Sequence, residues 1–205
     1  MSRDKEQTKN RIIASAGQLL AREGFRNFGV NSLARQAGVD KVLIYRYFGG
    51  LAGVLRAFGE TADFWPTVAE VTGGDRELFR RMGPGEGLGE LLVNFARALR
   101  RRALTREIMA WEMVEQNELT TVLAELREDW ATRLFQMFHE QFTDTEMDMP
   151  AVVALFGAAI NYLVVRGRNT SVFNLVEIDS EAGWQRLEAT LRMLCVKCFP
   201  TIPAG

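Results

Sequence analysis

The sequence predicts an all-α chain in two parts, a small three-helix head over residues 1–50 and a larger helical body over 51–205. Three observations carry this. Apolar residues recur at helical spacing along nearly the whole chain, glycine and proline cluster between those stretches, and 205 residues with 47% hydrophobic content suffice for a substantial core.

The head reads as three helices in succession. Thr8 to Glu23 carries Ile12, Ile13, Ala16, Leu19 and Leu20 as one stripe, stops at Gly24, and is followed by Phe25 as a core plug. Val30 to Ala37 places Val30, Leu33, Ala34 and Ala37 on one face. Gly38 supplies the turn, Val39 plugs the angle, and Asp40 caps a third helix that carries Ile44 and Phe48 inward. Small Ala34 lets the last two helices cross closely, which is the grammar of a helix-turn-helix.

Lys41, Val42, Tyr45 and Arg46 then face outward, on a helix whose first residues reach base edges when it enters a major groove. Asn31, Gln36 and Tyr47 complete the candidate DNA-binding set. Charge points the same way. Residues 1–58 hold ten Lys and Arg against four Asp and Glu, about +6, while the rest of the chain is about −7, so a total of −1 hides a dipolar molecule. A basic head neutralises phosphates and releases counterions. Arg3, Lys5 and Lys9 are candidates for an arm along the duplex, with a solvated terminus as the plainer reading.

The segments IIASAGQLLAREGF and SLARQAGVDKVLIYRYF, followed by a long helical remainder, resemble the tetracycline-repressor (TetR) family of one-component bacterial regulators. The motifs span roughly the first quarter of the chain. The resemblance implies a transcriptional regulator, a repressor, whose homodimer binds a two-fold-symmetric operator in double-stranded DNA and responds to a small-molecule effector. Three positions depart from the family pattern. Gly29 stands where a capping, phosphate-touching threonine is usual; Gly49-Gly50-Leu51-Ala52 lacks the lysine that usually opens the fourth helix; and Val42 and Leu43 replace small residues. Val42 can meet a thymine methyl, and Leu43 turns inward.

In the body, Leu51, Val54, Leu55, Phe58 and Ala62 form the stripe of a linking helix that runs towards Phe64-Trp65 and is bent or ended by Pro66. Gly73-Gly74 and Gly83-Pro84-Gly85 with Gly87 bracket a short helix from Asp75 to Arg81. Glu90 to Arg102 forms a helix ending in Arg97, Arg100, Arg101 and Arg102, a cluster read as solvated and favoured by the helix dipole. Helical period then continues from Thr105 to Phe142, with a break near Asn117.

Phe64, Trp65, Phe79, Phe95, Met109, Trp111 and Met113 are the candidate walls of an effector cavity, because aromatic and methionine side chains enclose flat or greasy molecules; ordinary core packing is the plainer role for each. Glu107, Glu112, Glu115 and Glu118 offer counter-charge to a cationic effector if one points inward. Two terminal helices supply the candidate dimer interface. The first, opened by Pro150, bears Val152, Phe156, Ala159 and Leu163; the second bears Trp184, Leu187, Leu191 and Leu194.

Cys195 and Cys198 close a helix, where a thioredoxin-type pair would open one, and His139 is the single histidine, so buried or interface thiols are expected and no metal site. No nucleophilic triad or phosphate loop appears, so an enzyme is not expected, nor a cofactor. No apolar run near ~18 residues and no charged-then-apolar leader are found, which places the protein in the cytoplasm and off the membrane. The alternative reading is a non-enzymatic helical interaction or carrier protein with a degenerate DNA-binding head.

Overall fold

The computed structural model describes residues 2–139 and 147–200, without the side chains of Ser2, Arg3 and Arg76. The expectations for Arg3 in the arm and Phe142 at a helix end lie outside the described residues. Among those residues the chain forms α1 (Ser2–Glu23), α2 (Val30–Ala37), α3 (Lys41–Phe48), α4 (Leu51–Gly59), α5 (Val68–Val71), α6 (Arg76–Arg81), α7 (Pro84–Arg101), α8 (Ala103–Glu112), α9 (Glu118–Phe138) and α10 (Met149–Arg166). A hairpin of β1 (Val172–Phe173) and β2 (Val176–Glu177) precedes α11 (Glu181–Cys198).

These elements make two compact units. The first runs to Trp65 and takes in Arg102–Ala131; the second comprises Pro66–Arg101 and the chain from Thr132 onward. The helix-turn-helix head is thus part of a larger compact body, because α1 packs on α2, α4 and α8.

In the first unit Ile12, Ala16, Leu19 and Leu20 of α1, Leu33, Ala34 and Ala37 of α2, Ile44 of α3 and Val54, Leu55 and Phe58 of α4 are all buried, with α1 packed on α2 and α4 and α3 on both of those. Burying such side chains contributes about 1.5–3 kcal/mol each, which is how an eight-residue helix as short as α2 or α3 is held. Gly17 lets α4 approach: a Cβ there would stand 2.5 Å from the Phe58 ring. The helix expected to run from Leu51 to Trp65 stops at Gly59. The chain turns back through residues 60–64, and Phe64 packs its ring 4.9 Å from that of Phe58. Asn117 marks the break between α8 and α9, its Oδ1 accepting from the Leu119 and Thr120 amides.

In the second unit α7 lies against α11, α5 and α10. It begins at Pro84, six residues before the position read from the sequence, and carries Gly85, Gly87 and Gly89 inside the helix. Gly85 and Gly89 are contact surface: a Cβ on Gly85 would sit 2.5–2.6 Å from the Phe199 and Cys195 carbonyl oxygens and the Val196 Cα, and one on Gly89 3.1 Å from the Arg192 Cα. The arginines at the end of α7 are not simply solvated, because Arg97 reaches Glu188 and Arg100 reaches Glu181 on α11. The α5 turn was not foreseen; Thr67 and Glu70 cap it reciprocally. The hairpin was not foreseen either. It pairs Val172 with Glu177 and Phe173 with Val176 through a turn in which Asn174 and Leu175 both take positive φ.

Helix α10 corrects the statement that no apolar run approaches eighteen residues. Met149–Arg166 is long and apolar enough to cross a membrane by length and composition, and only 28% of it is buried within the chain.

Candidate nucleic-acid interface

The turn between α2 and α3 is built as the sequence dictates. Gly38 takes φ +62° at the end of α2, and the Val39 amide donates to the Ala34 carbonyl at 3.0 Å. Asp40 caps α3, its Oδ1 accepting from the Val42 amide at 2.8 Å. Ile44 is fully buried and Leu43 and Phe48 half-buried, so one face of α3 is committed to the core.

The other face is free. Lys41 and Arg46 are exposed, Val42 is 54% exposed and Tyr45 55%. This leaves two cations, a phenol and a small apolar side chain on one convex helix face, a set able to meet phosphates, base edges and a thymine methyl. Asn31 is exposed on α2. Gln36 is half-buried and engaged with α1: its Oε1 accepts from Arg22 at 3.3 Å and its Nε2 donates to Gln18 at 3.4 Å. Tyr47 is half-buried, with the Lys5 ammonium 5.7 Å from its ring centre.

That last contact revises the N-terminal arm. α1 begins at Ser2 rather than Thr8, so Lys5 and Lys9 are helical residues, and Lys9 pairs with Glu6 at 3.3 Å. At Gly29 no side chain caps α2. The Ser32 hydroxyl instead accepts from the Gly29 amide at 3.0 Å, which satisfies the helix end but puts no hydroxyl at the position where the family has one.

The residues proposed from the sequence as cavity walls do not share one environment. Phe64, Trp65 and Met109 are buried in the first unit; Phe79 and Phe95 are buried in the second, where the Phe79 ring lies 4.7 Å from that of Phe138. Trp111 is committed to α1, its indole Nε1 donating to the Ala21 carbonyl at 3.2 Å. Met113 lies just past the end of α8 and is 54% exposed. Of the four carboxylates offered as counter-charge, Glu112 pairs with Arg127 at 2.9 Å; burial raises its pKa while the guanidinium lowers it, and burial prevails. Glu115 is buried and accepts from the Phe25 amide at 2.8 Å and the Arg26 amide at 3.0 Å. Its inward carboxylate thus serves backbone amides of the head, a role that spacing does not reveal, since a glutamate beyond an amphipathic helix reads as wet surface.

On the two terminal helices Ala159 and Leu194 are exposed, and Val152, Phe156, Leu163, Leu187 and Leu191 half-buried. Trp184 is buried in its own chain: its Nε1 donates to the Ile178 carbonyl at 2.8 Å and the Arg100 guanidinium lies 4.8 Å from its ring centre. It is therefore core rather than interface. Leu155 and Tyr162 on α10 and Met193 and Val196 on α11 are also outward apolar residues, outside the interface set read from the sequence.

A three-helix head with a capped, outward-facing α3, followed by a helical body, has the architecture of a helix-turn-helix DNA-binding protein. Residues 12–58 match the model of the bacterial regulatory proteins of the tetR family. Solved structures share its fold. A TetR family transcription regulator from Marinobacter aquaeolei VT8 is 17% identical with a TM-score of 0.60, over 94% of this chain and 97% of that one. NalD, the secondary repressor of the MexAB-OprM multidrug efflux pump in Pseudomonas aeruginosa, is 18% identical with a TM-score of 0.64, over 98% of this chain and 100% of that one. RolR in complex with its ligand resorcinol is 18% identical with a TM-score of 0.52, over 95% and 90%. None of the curated proteins matches the sequence.

Proposed function

We propose that the protein is a repressor that binds a two-fold-symmetric operator as a homodimer and responds to a small-molecule effector. The observation that carries the reading is α3: Ile44 anchors it from one side while Lys41, Val42, Tyr45 and Arg46 stand free on the other. Residues 1–50 contact DNA, with Asn31 and Tyr47 beside the α3 set. Residues 51–205 carry the effector and dimer functions. The proposed dimer helices are α10 and α11, and a two-fold operator read by two α3 helices has half-sites about one DNA turn apart, ~34 Å. Phe64, Trp65 and Met109 are the proposed walls of the effector site. NalD's role as a repressor and RolR's binding of an aromatic ligand support repression and effector response by analogy of fold.

The test is selection of duplexes from fragmented genomic DNA by the purified protein at two salt concentrations, followed by sequencing. A short two-fold-symmetric site is expected. Lys41→Ala should lower affinity for all sequences and reduce the salt slope by about one, whereas Tyr45→Ala should relax the preference at particular bases. Selection of no sequence at either salt would favour a non-enzymatic interaction or carrier protein, in which Gly29 and Leu51 have cost the head two of its phosphate contacts.

A further inference from the structure

We infer that Glu115, with Trp111 one helical turn before it, is a positioning residue for DNA binding that sets the angle at which the head presents α3. The inference rests on the DNA-binding reading above.

The geometry is a clamp at the α1–α2 turn. One carboxylate oxygen of Glu115, Oε2, takes both the Phe25 and the Arg26 amide, ninety and eighty-nine residues away in sequence. Trp111 takes the Ala21 carbonyl in the last turn of α1. A helix end leaves carbonyls without intrahelical partners, and a following turn leaves amides in the same state. The end of α8 and the residues just after it supply partners for both. The seat is tight: Gly24, at φ +72°, has no room for a side chain, since a Cβ would stand 2.9 Å from the Trp111 ring and 3.1 Å from Glu115 Oε1.

The other end of α8 is fastened as well. The Arg102 guanidinium donates to the Ala62 carbonyl at 2.7 and 3.2 Å, and the Thr105 hydroxyl donates to the Phe64 carbonyl at 2.6 Å. The segment from Arg102 to Glu115, with α8 at its centre, therefore holds the head at two places, the α1–α2 turn and the segment after α4. A buried carboxylate is costly unless fully bonded, and an apolar residue would fill the same space. What the carboxylate adds is direction, because charge-assisted hydrogen bonds are short and angularly selective. A dimer that reads two half-sites needs that direction, since the tilt of each head sets the separation of the two α3 helices.

The experiment compares wild type with Glu115→Ala, Glu115→Gln and Trp111→Phe. Amide hydrogen exchange is read at Phe25, Arg26, Leu33 and Ile44. Affinity is read on the selected operator, on a single half-site, and on operators with the half-site spacing changed by one or two base pairs. In Glu115→Ala the Phe25 and Arg26 amides should exchange about tenfold faster, with Leu33 and Ile44 unchanged. Operator affinity should fall roughly tenfold while half-site affinity holds, and altered spacings should be bound almost as well as the original. Glu115→Gln keeps an acceptor oxygen but loses the charge, and should fall between Glu115→Ala and wild type in both.

Unchanged operator affinity and spacing preference in Glu115→Ala would overturn the inference. So would an equal loss on operator and half-site, which would mean that the head itself is damaged. If Glu115→Ala does not fold, Glu115→Gln and Trp111→Phe decide by the same readouts, with intermediate losses expected and wild-type spacing preference in both as the overturning result. A wild type that binds no duplex would overturn the DNA-binding reading and the positioning role together, while the exchange measurement would still read the clamp.

Discussion

Arg97 on α7 and Glu188 on α11 meet face to face: the guanidinium Nε donates to Oε1 at 3.0 Å and Nη2 donates to Oε2, with the carboxylate side chain only 1% exposed. The hydrogen bond to Glu188 raises the Arg97 pKa above its ordinary value, against the opposing effect of burial. Arg192 with Glu90 and Arg100 with Glu181 flank the pair, so one ladder of ion pairs runs along the two helices. Glu188→Ala should destabilise the fold by about 1–3 kcal/mol, less than for a sealed pair because the partly exposed Arg97 regains water. Glu181→Ala, at the wet end of the ladder, should leave the urea midpoint unchanged. Urea unfolding of both variants checks this, and equal midpoints would refute it.

The same helix pair approaches closely at its other end, where Gly85 and Gly89 of α7 face α11. Gly85→Ala forces a methyl group against backbone that cannot swing aside, and should cost about 1–3 kcal/mol. Gly87→Ala is the internal control. Its Cβ would meet the Phe79 ring and Met82 at 3.6–3.8 Å, an ordinary contact, so helix propensity should prevail and the variant should be as stable as wild type or more so by up to ~1 kcal/mol. Thermal melts in which both variants fall together would show that the helix, rather than the contact, is what matters.

Cys195 is sealed in this packing, and burial pushes its thiol from 9.0 up to about 12, with neighbouring Cys198 adding a smaller upward push. Iodoacetamide at pH 8 should therefore label half-buried Cys198 in the native protein and spare Cys195, both reacting once the chain is unfolded. The shift also has a thermodynamic sign. Below pH 9 both states keep the proton; between 9.0 and about 12 the unfolded chain ionises and the native one does not, so native stability falls as pH rises through that window. Cys195→Ala should show a shallower alkaline loss. Mass spectrometry that finds equal labelling of the two cysteines in the native state would refute the sealed site.

The head was legible because its rules are local. Gly38, Asp40 and the inward spacing of Leu33, Ala34, Ala37 and Ile44 each act within a few residues, and turn, cap and core form where the sequence put them. Long-range relations were not legible. Gly83-Pro84-Gly85 reads as a loop until Cys195, Val196 and Phe199 are known to lie against it. Glu115 reads as wet surface until the Phe25 amide is placed beside it. Trp184 is buried and Leu155 exposed for the same reason, since periodicity finds an apolar stripe but not which neighbour covers it.

Leu155 is 72% exposed on α10, with Ala151, Ala154, Ala158 and Tyr162 on the same outward face. Small residues around one large one allow two helix backbones to approach, and a face of this kind left open to water is unfavourable unless a second surface covers it. Under the proposed function the cover is the same face of a second copy. Leu155→Arg should then leave the helical spectrum and the fold intact, because the side chain touches water in the single chain. It should turn a dimer into a monomer in sedimentation at micromolar concentration, since two guanidinium groups would meet across the symmetry axis. Operator affinity should fall with it while half-site affinity holds. A Leu155→Arg protein that still sediments as a dimer would move the interface off this face of α10 and onto Met193 and Val196 of α11.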